Sequence, residues 1–113
     1  MIDVSLLKTL FDDDAMIRKY LLVFRSDVPM SLDELKESIK NMDWDNASIT
    51  AHSLKSQLQY LKEDEISKLA YEIERRCEEP HGNDAIELQE LIDKINLEII
   101  HIFSKIDRYL VEK

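Results

Sequence analysis

Trp44-Asp45-Asn46-Ala47-Ser48-Ile49-Thr50-Ala51-His52-Ser53-Leu54-Lys55-Ser56-Gln57-Leu58-Gln59-Tyr60-Leu61 is the stretch whose reading decides the fold. Trp44, Ala47, Ala51, Leu54, Leu58 and Leu61 recur at alternating steps of three and four, the seam of a helix packed in a bundle. At about 100° per residue, His52 falls roughly 135° around the helix from the middle of that seam, so its ring should face solvent. Ser56, one turn on, shares the outward strip, while Lys55 and Gln59 lie between strip and seam. A solvent-facing imidazole with a cation one turn away suits reversible phosphorylation of the histidine.

The same period runs outward in both directions. Ile2 to Phe11 reads as a short amphipathic helix carrying Leu6, Leu7, Leu10 and Phe11. Asp12-Asp13-Asp14 then offers an N-cap and favourable charge for the next helix. That helix has apolar positions at Ile17, Leu21, Phe24, Val28, Leu32, Leu35, Ile39 and Met42. Pro29 interrupts it by removing a backbone donor, and Ser31-Leu32-Asp33-Glu34 has the form of a capping box. The seam nevertheless crosses Pro29 in phase, which favours one bent helix over two. Asn41-Met42-Asp43 is the expected turn, with Asp43 or Asp45 as cap. Beyond Lys62 a fourth helix places Ile66, Leu69, Ala70, Ile73 and Cys77 on one face. Pro80-His81-Gly82-Asn83 punctuates the chain. The last helix keeps Leu88, Ile92, Ile95, Ile99, Ile102, Ile106 and Tyr109 in register. The expected fold is all-α: an antiparallel up-down four-helix bundle with an additional short N-terminal helix as a lid. One glycine and two prolines leave little room for hairpins. With no repeat, linker or low-complexity segment, residues 1–113 read as a single domain.

Composition narrows the function. A formal net charge of −9, with fifteen Lys and Arg scattered among twenty-four acids, would repel a nucleic-acid backbone. The single cysteine, Cys77, cannot form an internal disulfide, which fits a reducing cytoplasm. The amino terminus lacks the pattern of a signal peptide, and no apolar run reaches membrane-spanning length. A cytoplasmic protein with no nucleic-acid or membrane partner is expected.

Around His52 the chain resembles the histidine-containing phosphotransfer (HPt) domains, whose signature reads Ala-His-x-Leu-Lys-Gly followed by a leucine and a glycine. Ala51, His52, Leu54, Lys55 and the later Leu61 match it. Ile66, Leu69, Ile73 and Glu74 fall where the family places core residues and a Glu or Gln near the histidine. Phe24 through Pro29 to Ile39, then Asp43-Trp44, is similar to the family's preceding helix and turn. The resemblance spans roughly residues 15 to 110. Ser56 and Lys62 stand where the family has its two glycines. The first exchange bears on partner fit beside the histidine, and the second on how the helix ends.

The resemblance implies a phosphoryl carrier between receiver-domain aspartates, with response regulators and a hybrid histidine kinase as partners. It implies a monomer, and a start at Met1 with a final helix to Tyr109 or Leu110 favours a free-standing carrier. Neutral imidazole is a ready nucleophile near neutral pH. Lys55 would offset charge on the transferring phosphoryl oxygens. Ser56 or Gln59 would hydrogen-bond the ring or the phosphoryl group. Glu74 has two readings, a solvated helix carboxylate or the group that orients the ring through its other nitrogen. Ile49 and Tyr60, within about 80° of His52, read as a docking patch, unless the N-terminal helix covers them. No glycine-rich phosphate loop is present, so no ATP site, kinase activity or cofactor of its own is expected, and magnesium would come with the receiver.

Two competitors stem from other residues. Glu98-Ile99-Ile100-His101 and Glu78-Glu79-Pro80-His81 have the spacing of carboxylate-bridged di-metal bundles. Pro80 would break the second pair, and His101 falls roughly 120° off its own seam, so no metal site is expected. The other competitor is a helical adaptor that docks receivers without carrying phosphate.

Overall fold

The computed structural model describes residues 1–79 and 84–112. Five helices follow one another: α1 (Ser5–Leu10), α2 (Asp14–Lys40), α3 (Trp44–Tyr60), α4 (Asp64–Glu78) and α5 (Ala85–Glu112). The four long helices pack as α2 on α3, α3 on α4, α4 on α5 and α5 on α2. That cycle makes an all-α four-helix bundle in which α3 and α5 stand diagonally. Every apolar position assigned to the α5 seam, from Leu88 to Tyr109, is buried. So are Ala47, Ala51, Leu54, Leu58 and Leu61 along the stretch that carries His52. Each such leucine or isoleucine contributes about 1.5–3 kcal/mol by leaving water.

Side-chain oxygens start the helices as the sequence implies. Asp13 accepts from the Met16 N–H at 2.9 Å, and Asp43 accepts from the Asn46 N–H at 3.2 Å. Pro29 lies inside α2, which continues as a single helix to Lys40. Ser31 is therefore mid-helix, and Ser31-Leu32-Asp33-Glu34 caps nothing.

The two tight turns repeat one device. At the end of α2 the Asp43 N–H bonds the Ser38 carbonyl (2.8 Å) and the Met42 N–H bonds that of Ile39 (3.1 Å). At the end of α3 the Glu63 N–H bonds the Leu58 carbonyl (3.1 Å) and the Lys62 N–H that of Gln59 (2.9 Å). Both are Schellman closures. Met42 (φ 57°) and Lys62 (φ 55°) occupy the left-handed position that glycine ordinarily fills.

Met42 thus departs from the expected seam. It is 69 % exposed, because α2 ends at Lys40 and the reversed backbone turns the side chain outward. The first helix is also shorter than Ile2–Phe11: Val4 precedes it, Phe11 ends it, and Leu10 is exposed. Leu7 is buried beneath it, and the Phe11 ring lies 6.4 Å from that of Tyr20 on α2. The punctuation expected at residues 80–83 lies outside the described residues.

Polar ties fix the register of α3 against α2. Thr50 Oγ1 donates to Glu34 Oε2 at 2.8 Å, Asn46 Nδ2 to Ser38 Oγ at 2.6 Å, and the Tyr20 hydroxyl to the Gln57 carbonyl at 3.2 Å.

Candidate functional site

On the opposite flank of α3, α4 supplies the groups that meet His52. The seam residues Ala70, Ile73 and Cys77 bury one face of α4. Glu74, next to Ile73, is drawn to the edge of that face and is only 7 % exposed. Its two oxygens are both engaged. Oε2 lies 2.8 Å from His52 Nδ1, and Oε1 lies 2.9 Å from Lys55 Nζ. The reading of Glu74 as a solvated carboxylate is therefore corrected: the packing of α4 on α3 takes it out of water.

Burial pushes the Glu74 carboxyl up, but Lys55 and His52 together outweigh that and hold it below the ordinary carboxylate value. Glu74 is accordingly an anion at neutral pH and only accepts hydrogen bonds. The neutral imidazole must then donate from Nδ1, which leaves the Nε2 lone pair on the far edge of the ring. That edge is open, since the His52 side chain is 59 % exposed.

Lys55 is mostly covered. Its ammonium sits on Glu74 and also 5.1 Å from the centroid of the Tyr71 ring. Ser67, buried on α4, donates to the Lys55 carbonyl at 3.3 Å and pins the two helices at this level. Ser56 is half-buried and Gln59 exposed. Among the described residues neither forms a hydrogen bond with the imidazole. Tyr71 has no signature in the sequence, because a half-exposed tyrosine outside the seam carries no periodic signal.

Ile49 is 69 % exposed on the same outward strip as His52. Tyr60 is less open: its ring meets Tyr20 edge-on at 6.1 Å, and it shares a groove with Leu7, Leu10 and Phe11. The N-terminal helix therefore borders Tyr60 and leaves Ile49 free. Met16, Val23 and Met30 on α2 are exposed as well. They recur every seven residues, within about 60° of the Tyr20–Asp27–Glu34 line that faces α3. The spacing was available in the sequence, but only the ties from Tyr20 and Glu34 show which flank of α2 meets α3.

Among the described residues no group of three or more His, Cys, Asp and Glu side chains is arranged to hold a metal ion. His101 is exposed on α5, and the Pro80-His81 half of the other motif lies outside the described residues. No helix among the described residues is long and apolar enough to cross a membrane.

The fold and the site are those of an all-α bundle that presents one oriented imidazole to solvent. The family model of the Hpt domain matches residues 19–101, from early α2 to late α5, and the chain belongs to that family. Its members are phosphocarriers of phosphorelays rather than kinases. Neither the curated proteins nor the solved structures contain a match to the chain.

Proposed function

We propose that His52 carries a phosphoryl group on Nε2 between receiver-domain aspartates. The observation that supports this most is the 2.8 Å contact of Nδ1 with a buried carboxylate on a histidine whose outer edge is open. In the forward step the Nε2 lone pair attacks the phosphorus of a receiver acyl phosphate. The N–P bond forms, the P–O bond breaks, and the aspartate leaves as a carboxylate. The ring becomes a phosphorylated imidazolium that keeps its Nδ1 proton, and the Glu74 anion beside it balances that charge. No proton need move. In the return step a second receiver's carboxylate attacks phosphorus and the N–P electrons revert to Nε2.

Lys55 holds a positive charge one helical turn from the reacting nitrogen, where it offsets charge on the phosphoryl oxygens. Magnesium and the aspartate are the partner's to supply. Ile49, with Tyr60, Met16, Val23 and Met30, provides an apolar surface beside His52 for a receiver to cover. Response regulator receivers, and the receiver of a hybrid kinase, are the partners this reading implies. Ser56 and Gln59 serve the fit around the phosphoryl group rather than the resting ring.

The test is phosphoryl transfer from a panel of labelled, phosphorylated receiver domains, with His52→Ala as the control. Acid-labile, alkali-stable label on the wild type and none on the variant is the expected result. Receivers that bind both proteins yet label neither would make the domain a docking adaptor.

A further inference from the structure

Lys55 has a second neighbour that the transfer reading does not use. A groove of about 440 Å³ opens between α3 and α4, lined by Lys55, Gln59, Asp64, Ser67, Lys68 and Tyr71. Lysine is a point charge on a flexible four-carbon stem, and its contact with Glu74 is an ion pair that fixes no donor direction. Glu74 Oε1 draws the ammonium toward His52. Asp64 places a second carboxylate on the wall of that groove. The Tyr71 ring, which also lines the groove, lies 5.1 Å from Nζ and within cation–π range.

Tyr71 and Glu74 are three residues apart on α4, so they are neighbours on one face and both meet the same ammonium. Bundle packing does not account for an aromatic at this position. Tyr71 is 50 % exposed, whereas Ala70 and Ile73 beside it are fully buried.

We propose that Tyr71 is a positioning residue for phosphoryl transfer, its ring holding the Lys55 ammonium on Glu74 beside His52 and out of the adjoining groove. The role rests on the carrier reading of His52. It acts through Lys55 alone and requires the aromatic face, not the hydroxyl.

Two measurements test it. The first is the single-turnover rate of transfer from a phosphorylated receiver, followed against receiver concentration, for Tyr71→Phe, Tyr71→Leu, Lys55→Ala and the Lys55→Ala/Tyr71→Leu double variant. Tyr71→Phe should match the wild type. Tyr71→Leu should lower the maximal rate by about three- to tenfold, the worth of one partly desolvated cation–π contact, with the half-saturating receiver concentration unchanged. In the Lys55→Ala background the same substitution should do nothing further. An equal loss in both backgrounds, or a change confined to half-saturation, would make Tyr71 a receiver contact and overturn the proposal.

The second measurement needs no phosphoryl group. Ring-current shielding should move the Lys55 ε-methylene protons upfield in the wild type and in Tyr71→Phe, and the shift should vanish in Tyr71→Leu. Its absence from the wild type overturns the proposal whatever the kinetics. A wild type that shows the shift but accepts no phosphoryl group overturns the carrier reading, and Tyr71's role in transfer with it, while leaving the contact established.

Discussion

His52 Nδ1 and Glu74 Oε2 lie 2.8 Å apart although 22 residues and a helix boundary separate them. The contact fixes a tautomer: an anionic acceptor at Nδ1 leaves the free lone pair at Nε2. Replacing Glu74 by Ala should therefore scramble the tautomer and loosen Lys55 together. The maximal rate of transfer should fall by about ten- to a hundredfold, the worth of a hydrogen bond to a charged group. Glu74→Gln, which can still accept through its carbonyl oxygen but no longer balances the phosphorylated ring, should lose less. Single-turnover labelling of the two variants side by side checks the order, and equal losses would mean that charge alone matters.

The same carboxylate has a consequence for folding in acid. Its value is held below the ordinary 4.5 by Lys55 and His52 against the opposing pull of burial. A depressed carboxyl contributes stability that is complete above the unfolded value and is lost as pH falls through the folded one. Glu74→Gln should flatten the acid limb of urea midpoints measured downward from pH 6. An acid limb identical to that of the wild type would contradict the contact.

Ile49 and Tyr60 flank the histidine but differ in what else they do. Ile49 is 69 % exposed, so Ile49→Glu should leave the thermal midpoint within a degree or two while weakening receiver affinity by about tenfold. Tyr60 also meets Tyr20 edge-on, and Tyr60→Glu should therefore both slow transfer and cost about 1 kcal/mol of stability. Titration of a receiver onto each variant, with a melting curve alongside, separates the two effects. Unchanged affinity in both would remove this face from the docking surface.

How much of this was legible in the sequence depends on which information each feature needs. The α5 seam and the run from Ala47 to Leu61 were readable because a three-and-four alternation is a property of one helix alone. Met42 misled because the arithmetic of its seam runs on past the point where the helix stops at Lys40. The turn at Asn41-Met42-Asp43 was itself readable, but methionine occupies the reversed position where glycine would have taken that residue out of the seam. Glu74 stayed ambiguous for a different reason. Beside a core isoleucine it can lie either side of the water boundary, and the rotation of α4 against α3 decides which. His52, the acceptor proposed above, was singled out by its motif, whereas Tyr71 and the α2 strip of Met16, Val23 and Met30 depend on pairing between helices.

Lys62 and Met42 each hold a left-handed backbone inside a Schellman closure. For a residue with a Cβ that conformation costs about 1–2 kcal/mol, part of which glycine returns through its greater freedom in the unfolded chain. Lys62→Gly and Met42→Gly should each raise the unfolding free energy by about 0.5–1 kcal/mol. Both side chains are exposed, so no packing is lost in exchange. Urea denaturation of the single variants and the pair should show near-additive gains, because the two turns follow different helices. Lys62→Gly should also leave transfer unchanged, since Lys62 touches neither Glu74 nor His52. A loss of stability at either site would mean that its turn does not have the closure described.

At the alkaline end a buried thiol and a half-buried phenol set the expectation, alongside Tyr109, whose phenol is raised by its hydrogen bond to Asp14 and by burial. Burial pushes the Cys77 thiol from 9.0 up to about 11, and burial together with neighbouring Tyr60 pushes the Tyr20 phenol from 10.0 up to about 12. Both groups are neutral when protonated, so the folded state holds their protons more tightly than the unfolded chain does. Their contribution is complete below the unfolded values and is lost as pH rises toward the folded ones. Stability should therefore decline from about pH 9, each group adding at most about 1.4 kcal/mol per pH unit within its own window. Cys77→Ala should remove the slope that begins near pH 9, and Tyr20→Phe should reduce the part that begins near pH 10, which Tyr109 shares. Slopes rather than absolute free energies carry the comparison, since either substitution also changes packing. Urea midpoints at half-unit intervals from pH 8 to 11 measure them, and a Cys77→Ala slope equal to that of the wild type would place the thiol in water.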